Sequence, residues 1–269
     1  MIRLLTESEI PLLERFCEGS PFGCKIAGLQ RAYGLSLPFA RFWVQTDEQE
    51  EVTAAVSSLD GAAVLHWNST ANRDELKEFF CAAGCRTLLC SESAADALYG
   101  GSNRAGELFV CPPVIQPMAQ SGVVWLNEVP VRELFSLLCE CGEQRVEQFE
   151  PFYLDVSHRV RHGASLTQGA VLSGKLAACA MAGSMTESTV VLSAVAVHPD
   201  VRRKGLGGAA VRALLLRLLP RRVYVLCENE RARLFYQSLS FSPAGRWAEL
   251  DLLRNGSICD AAPEPGQSF

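Results

Sequence analysis

Apolar positions along this chain switch between a helical period and a two-residue alternation. Glu7–Cys17 sets Ile10, Leu13 and Phe16 at helical spacing behind a candidate Thr6 cap. Arg41–Gln45 reads as a strand. Val52–Ser58 and Ala62–Trp67 flank Asp60-Gly61, a strong hairpin signal. Asn72–Ala83 predicts a helix stopped by Gly84, Thr87–Cys90 a short buried strand, and Ser91–Leu98 a helix ending at Gly100-Gly101. Cys111 to Gly122 is rich in proline and small residues and marks a boundary between a unit at 1–115 and one at 120–269.

The second stretch repeats this rhythm. Val123–Asn127 is a strand or turn, Val131–Val146 an amphipathic helix, and Pro151–His162 helix then loop. Ser165–Leu172, Lys175–Met185 and Thr189–Val197 read as strands. Gly207–Leu219 is a helix stopped by Pro220, Val223–Cys227 a buried strand, Glu230–Leu239 a helix and Phe241–Leu252 a last strand. The tail from Asn255 is expected to fray. The fold class is therefore α/β with a mixed sheet. The shared order of elements hints at a duplicated α/β unit, although no residue-level repeat accompanies it.

Composition narrows the chemistry. A formal net charge of -5 gives no bulk field favouring nucleic acid. Met1–Ile10 lacks an apolar stretch suited to a signal peptide, and Ala170–Val197, broken by Lys175 and Glu187, suits buried strands better than a membrane span. Eleven cysteines in apolar surroundings point to reduced thiols and a cytoplasmic setting. Cys81, Cys85 and Cys90 read as core positions, and no metal is expected.

The informative segment is Thr189–Ala213. A β-branched strand ends at Val197, His198-Pro199-Asp200 turns the chain, and Arg202-Arg203-Lys204-Gly205-Leu206-Gly207-Gly208 enters a helix. A helix N-terminus has N–H groups without partners and a partial positive charge. Glycines let an anion approach them, and three basic side chains add charge. No G-x-x-x-x-G-K-[ST] is present, which argues against a nucleoside triphosphate. Gly205, Gly207 and Ala210, with Glu228 further on, formally meet a dinucleotide fingerprint, but that turn should follow its strand directly.

Arg202-x-x-Gly205-x-Gly207 behind Ala196-Val197-His198-Pro199 resembles the acetyl-CoA loop of the GNAT N-acetyltransferase superfamily. Asn229 to Phe241 is similar to that family's second segment, Asn-x-x-Ala-x-x-x-Tyr followed by Gly-Phe, with Ser240 where glycine is usual. The resemblance implies a GNAT-type fold in the C-terminal half, beside a smaller α/β domain of degenerate GNAT-like character. It implies acetyl-CoA as cosubstrate, with the Val195, Ala196 and Val197 backbone along the pantetheine and thioester carbonyl. Arg202, Arg203, Lys204, Gly205, Leu206, Gly207 and Gly208 would hold the pyrophosphate. Asn229 would bond the pantetheine, with Ala232 and Phe235 in the same segment, and Tyr236 would protonate the departing thiolate.

The implied reaction is direct attack of an amine on the thioester, which needs a proton acceptor. Leu192-Ser193-Ala194 offers no carboxylate, leaving Glu187 and Glu228 as candidates. Asp155, His158 and His162 share a helical face, with Arg161 beside them, and are candidates for acceptor recognition. A non-catalytic acyl-CoA-binding or sensing module is the rival reading. The acceptor would be a small-molecule or peptide amine, with neither nucleic acid nor membrane as partner, and a homodimer is conceivable. The first unit has no Arg-x-x-Gly-x-Gly and would wall the acceptor cleft or mediate dimerisation.

Overall fold

The computed structural model describes residues 1–111 and 122–253. The first half runs β1 (Ile2–Leu4), α1 (Ile10–Cys17), α2 (Pro21–Tyr33), β2 (Ala40–Thr46), β3 (Val52–Leu59), β4 (Ala62–Trp67), α3 (Arg73–Ala82), β5 (Thr87–Ser91), α4 (Glu92–Tyr99) and β6 (Arg104–Cys111). The second half repeats that order: β7 (Val124–Leu126), α5 (Val131–Glu140), α6 (Phe149–Arg161), β8 (Leu166–Leu172), β9 (Lys175–Met185), β10 (Thr189–Val197), α7 (Leu206–Leu218), β11 (Arg222–Cys227), α8 (Glu230–Ser238) and β12 (Ser242–Asp251). Most of the expected boundary segment, and the tail from Asn255, lie outside the described residues.

Three elements, the short β1 together with α2 and β6, escape the sequence pattern. Gly23 and Gly28 give α2 the composition of a loop, yet both allow close approach. A Cβ at Gly23 would lie 2.3 Å from the Cys17 carbonyl oxygen, and one at Gly28 would lie 3.2 Å from the Met185 nitrogen. The readable signal was at the helix start: Ser20 Oγ accepts from Gly23 N (3.1 Å) and Pro21 is the first helical residue. Helix α5 ends at Glu140, before the apolar pattern does, because Gly142 takes a left-handed turn (φ 78°).

The twelve strands of the described residues form one mixed sheet in the order β1-β2-β3-β4-β5-β12-β6-β11-β10-β9-β8-β7. The last strand of each half has changed places. β6 pairs with β11, β12 pairs with β5, and the two pair with each other at the centre. The cores follow the exchange. Phe109 of β6 packs with Val211 and Leu214 of α7, while Ala248 and Leu250 of β12 pack with Leu76, Phe80 and Leu88. Each half thus closes its apolar core with the other's strand.

Strand β9 is buried on both faces, which explains its alanine-rich sequence. Ala178, Ala180 and Ala182 meet Ala210 and Leu214 of α7, whereas Cys179 and Met181 meet Leu134 and Leu138 of α5 and Val156 of α6. Cys24, Cys90 and Cys179 are free and buried, and burial raises each thiol pKa to about 12, whereas Cys81, expected as a reduced core thiol, is exposed on α3 and disulfide-bonded. Among the described residues no helix is long and apolar enough to cross a membrane, and no His, Cys, Asp and Glu cluster could hold a metal ion.

Candidate active site

The site begins where two parallel strands part. β10 pairs with β11 only over Thr189–Leu192, opposite Arg222–Val225. From Ala194 to Val197 it pairs with β9 alone, so its other edge faces open space. The parting coincides with a bulge: Gly183 of β9 and Ser193 of β10 both drop out of register. Gly183 is required there, because a Cβ would lie 2.5 Å from Ser193 Cβ.

Beyond Val197 the chain turns into α7. His198 shapes the turn, accepting at Nδ1 from Asp200 N (3.3 Å) while its Nε2 lies 3.0 Å from Glu140 Oε2. Arg202 Nε donates back to the Val197 carbonyl (3.1 Å), and Arg203 (φ 65°) and Gly205 (φ 79°) take left-handed conformations that swing the loop under the helix. The Gly205 carbonyl accepts from Ala209 N (3.0 Å), and no side chain caps α7. The N–H groups of Leu206, Gly207 and Gly208 therefore precede the helical ladder and lack intrahelical partners. Buried Gly207 passes beneath Val197, where a Cβ would lie 3.0 Å from Val197 Cγ2.

Helix α8 supplies the opposite wall. Asn229 Oδ1 caps it by accepting from Ala232 N (2.9 Å), which leaves the amide NH2 as a donor. The helix closes with paired bonds from Phe241 N to Tyr236 O (3.1 Å) and from Ser240 N to Gln237 O (3.0 Å). That closure needs a left-handed residue, and Ser240 takes it at φ 72°. The rings of Tyr236 and Phe241 meet edge to face at 5.2 Å, which fixes the tyrosine. Tyr236 is buried, its hydroxyl has no hydrogen bond among the described residues, and burial holds its phenol pKa above the ordinary value.

These elements enclose one cleft of about 1080 Å³, lined by Val195, Ala196, Val197, Arg202, Arg203, Gly205, Leu206, Gly207, Gly208, Asn229, Ala232, Phe235 and Tyr236. Arg212 and Arg231 also line it, so its walls are basic on a chain of net charge -5. Lys204 is exposed and does not line it. The equivalent helix start in the first half is closed: Asn72 Oδ1 accepts from Glu75 N (3.1 Å), and acidic Asp74 and Glu75 fill the first turn.

Several candidates fall elsewhere. Glu187 is exposed in the β9–β10 turn and borders neither this cleft nor the cavity described below. Glu228 faces Arg104 of β6 with two hydrogen bonds (3.1 and 2.9 Å), which lower its carboxyl pKa. Asp155 and His158 tie the halves together. Asp155 accepts from Tyr33 Oη (2.6 Å), while His158 Nε2 bonds the Ala32 carbonyl (2.7 Å) and its ring stacks on Tyr33 at 4.5 Å. Arg161 and His162 are exposed and bond to their own helix, at Ser157 O and His158 O.

A second cavity of about 400 Å³ lies on the other side of Val195. Its walls include Ser193, Gly183, Asp155, Arg159, Glu143 and, from α2 of the first half, Lys25. Glu143 and Val195 border both spaces. Glu143 is pinned by the end of α5, where its N–H donates to the Leu138 carbonyl (2.9 Å). Neither Glu143 nor Lys25 stands out in the sequence pattern. Both lie in stretches without a motif, and only the Gly142 stop signal marked the turn that positions Glu143.

Residues 131–241 match the Acetyltransferase (GNAT) family model. They are a GNAT-family domain. No curated protein sequence matches the chain. Among solved structures it is similar to a tandem GNAT protein from the clavulanic acid biosynthesis pathway, at 18% identity and TM-score 0.61, covering 93% of this chain and 97% of that one. It is also similar to GCN5-related N-acetyltransferases from Kribbella flavida (15% identity, 85% and 92% covered, TM-score 0.60) and Sphaerobacter thermophilus (15% identity, 93% and 94% covered, TM-score 0.59). At these identities the likeness shows the fold, and it extends across both halves. The GNAT match supports an enzyme of the N-acetyltransferase type and acyl transfer in general.

Proposed function

We propose that the protein transfers an acetyl group from acetyl-CoA to an amine by direct attack on the thioester. One observation carries this reading: the gap between β10 and β11 leads straight into the uncapped N-terminus of α7. The fit is physical. The open edge of Val195–Val197 offers backbone groups to an extended amide-bearing arm. The N–H groups of Leu206, Gly207 and Gly208, with Arg202 and Arg203 beside them, suit a diphosphate. Gly207 leaves a space that a side chain would fill.

Acetyl-CoA supplies the activated acyl group, so the amine nitrogen gains a bond to the carbonyl carbon as the C–S bond breaks. Asn229 keeps amide donors for the pantetheine. Glu143 is the carboxylate bordering both spaces, and we assign it the amine's proton, in place of Glu187 and Glu228. Tyr236 holds its proton firmly, as burial disfavours the phenolate, and delivers it to the departing thiolate.

The test is thiol release from acetyl-CoA against a panel of amines, alongside calorimetry of coenzyme A. Gly207→Val should weaken coenzyme A binding by about tenfold or more, since the added atoms occupy the approach to the amides. Unchanged affinity in that variant, or no coenzyme A binding by the wild type, would overturn the proposal.

A further inference from the structure

The cavity beside Val195 has a charge pattern of its own. Lys25 and Arg159 both line it, near enough to one another for their charges to repel. Arg159 is partly neutralised. Its Nε donates to Asp155 Oδ1 (2.8 Å) and its NH1 to the Gly183 carbonyl (3.3 Å). Asp155 is also engaged by the Tyr33 hydroxyl, so its charge is shared between two donors. Lys25 has no ion pair or hydrogen bond among the described residues. Burial, and then repulsion from Arg159, lower its ammonium pKa against a smaller pull from Glu249, so an anion in this cavity would relieve the cost of holding the cation there. Glu143 lines the cavity too, and it also borders the cofactor cleft.

Lys25 is rigidly placed. Ser20 caps its helix, the neighbouring Cys24 Sγ donates to the Thr189 carbonyl (3.3 Å), and Gly28 brings the helix against Met185. A first-half helix thus delivers a cation to the second half's site.

Resting on the acetyltransferase reading above, we propose that the acceptor is a small zwitterion of amino-acid type, its carboxylate received by Lys25 and Arg159 and its amine presented to Glu143. The cavity volume of about 400 Å³ suits a molecule of that class. A carboxylate there gains charge-assisted hydrogen bonds that the matching amide lacks.

The experiment compares the common amino acids with their carboxamides, reading thiol release and, with coenzyme A bound, thermal stabilisation of the full chain. The best acid should exceed its amide by about tenfold or more in kcat/KM, or in apparent affinity if turnover is slow. Lys25→Met should erase that preference and Lys25→Arg should retain part of it. Coenzyme A affinity should be unchanged in both, which also shows that the variants fold. The proposal is overturned if amides or plain alkylamines serve as well as acids, if no acid turns over or stabilises the protein, or if Lys25→Met keeps the preference. Coenzyme A binding with turnover of neutral amines alone would defeat this proposal and leave the acetyltransferase reading standing. Absence of coenzyme A binding would defeat both.

Discussion

Gly183 and Ser193 oppose each other across the bulge between β9 and β10, so closely that a Cβ on Gly183 would fall 2.5 Å from both Cβ and Oγ of Ser193. This contact lies where β10 leaves β11, and both residues line the second cavity. Gly183→Ala must push the strands apart. Overpacking of this kind costs about 1–3 kcal/mol, and a denaturant melt of the variant should show a loss in that range. Arg159 NH1 donates to the Gly183 carbonyl, so the acceptor KM should rise as well.

Ser240 closes α8 in a left-handed conformation that a glycine adopts freely. Ser240→Gly should stabilise the protein by about 1 kcal/mol, read as a raised denaturation midpoint with an unchanged slope. A loss of stability would mean that the serine side chain makes a compensating contact.

Glu143 and Glu228 separate by their surroundings. Glu143→Gln should lower kcat by about a hundredfold while leaving coenzyme A affinity intact. Glu228→Gln should change kcat by less than about twofold, because its carboxylate is held by Arg104 on the exposed surface. Arg104 depresses the Glu228 pKa, so any stabilisation from the pair is present above the ordinary carboxylate pKa. It fades as pH falls through the lowered value. Melts of the Gln variant should thus differ from wild type at neutral pH and converge with it in acid.

Tyr236 makes an alkaline prediction. An ordinary phenol ionises near about pH 10, and burial moves this one upward. The protonated donor therefore persists to higher pH, and kcat should show no loss attributable to Tyr236 up to about pH 10. Tyr236→Phe should lower kcat at every pH with little effect on coenzyme A binding. An alkaline fall below that pH that disappears in the Phe variant would contradict the assignment.

Much of this was readable in the chain. The period-two and helical patterns placed most elements, because each half-buried element must repeat its apolar face at its own spacing. The Asp60-Gly61 hairpin and the Gly84 and Gly100 stops sit where local chemistry puts them. The Arg202–Gly208 loop was legible because its parts are local: basic residues, glycines and a helix start are consecutive in sequence.

Elsewhere local signals misled. Gly23 and Gly28 disguised α2, since glycines placed for tertiary contact look like loop residues from within the segment. Asp155 and His158 share a helix face as expected; that face meets α2, so both bond to the first half, and Asp155 also lines the second cavity.

The amino-acid sequence by itself determined the two α/β rhythms, the glycine helix stops and the basic, glycine-rich loop into α7, all of which depend on neighbours a few residues apart. Only the tertiary structure decided that β6 and β12 trade places, that Glu143 stands between two cavities, and that Lys25 faces Arg159. Those relations join residues more than a hundred positions apart or lying in stretches without a motif, and they are fixed by burial and charge in three dimensions.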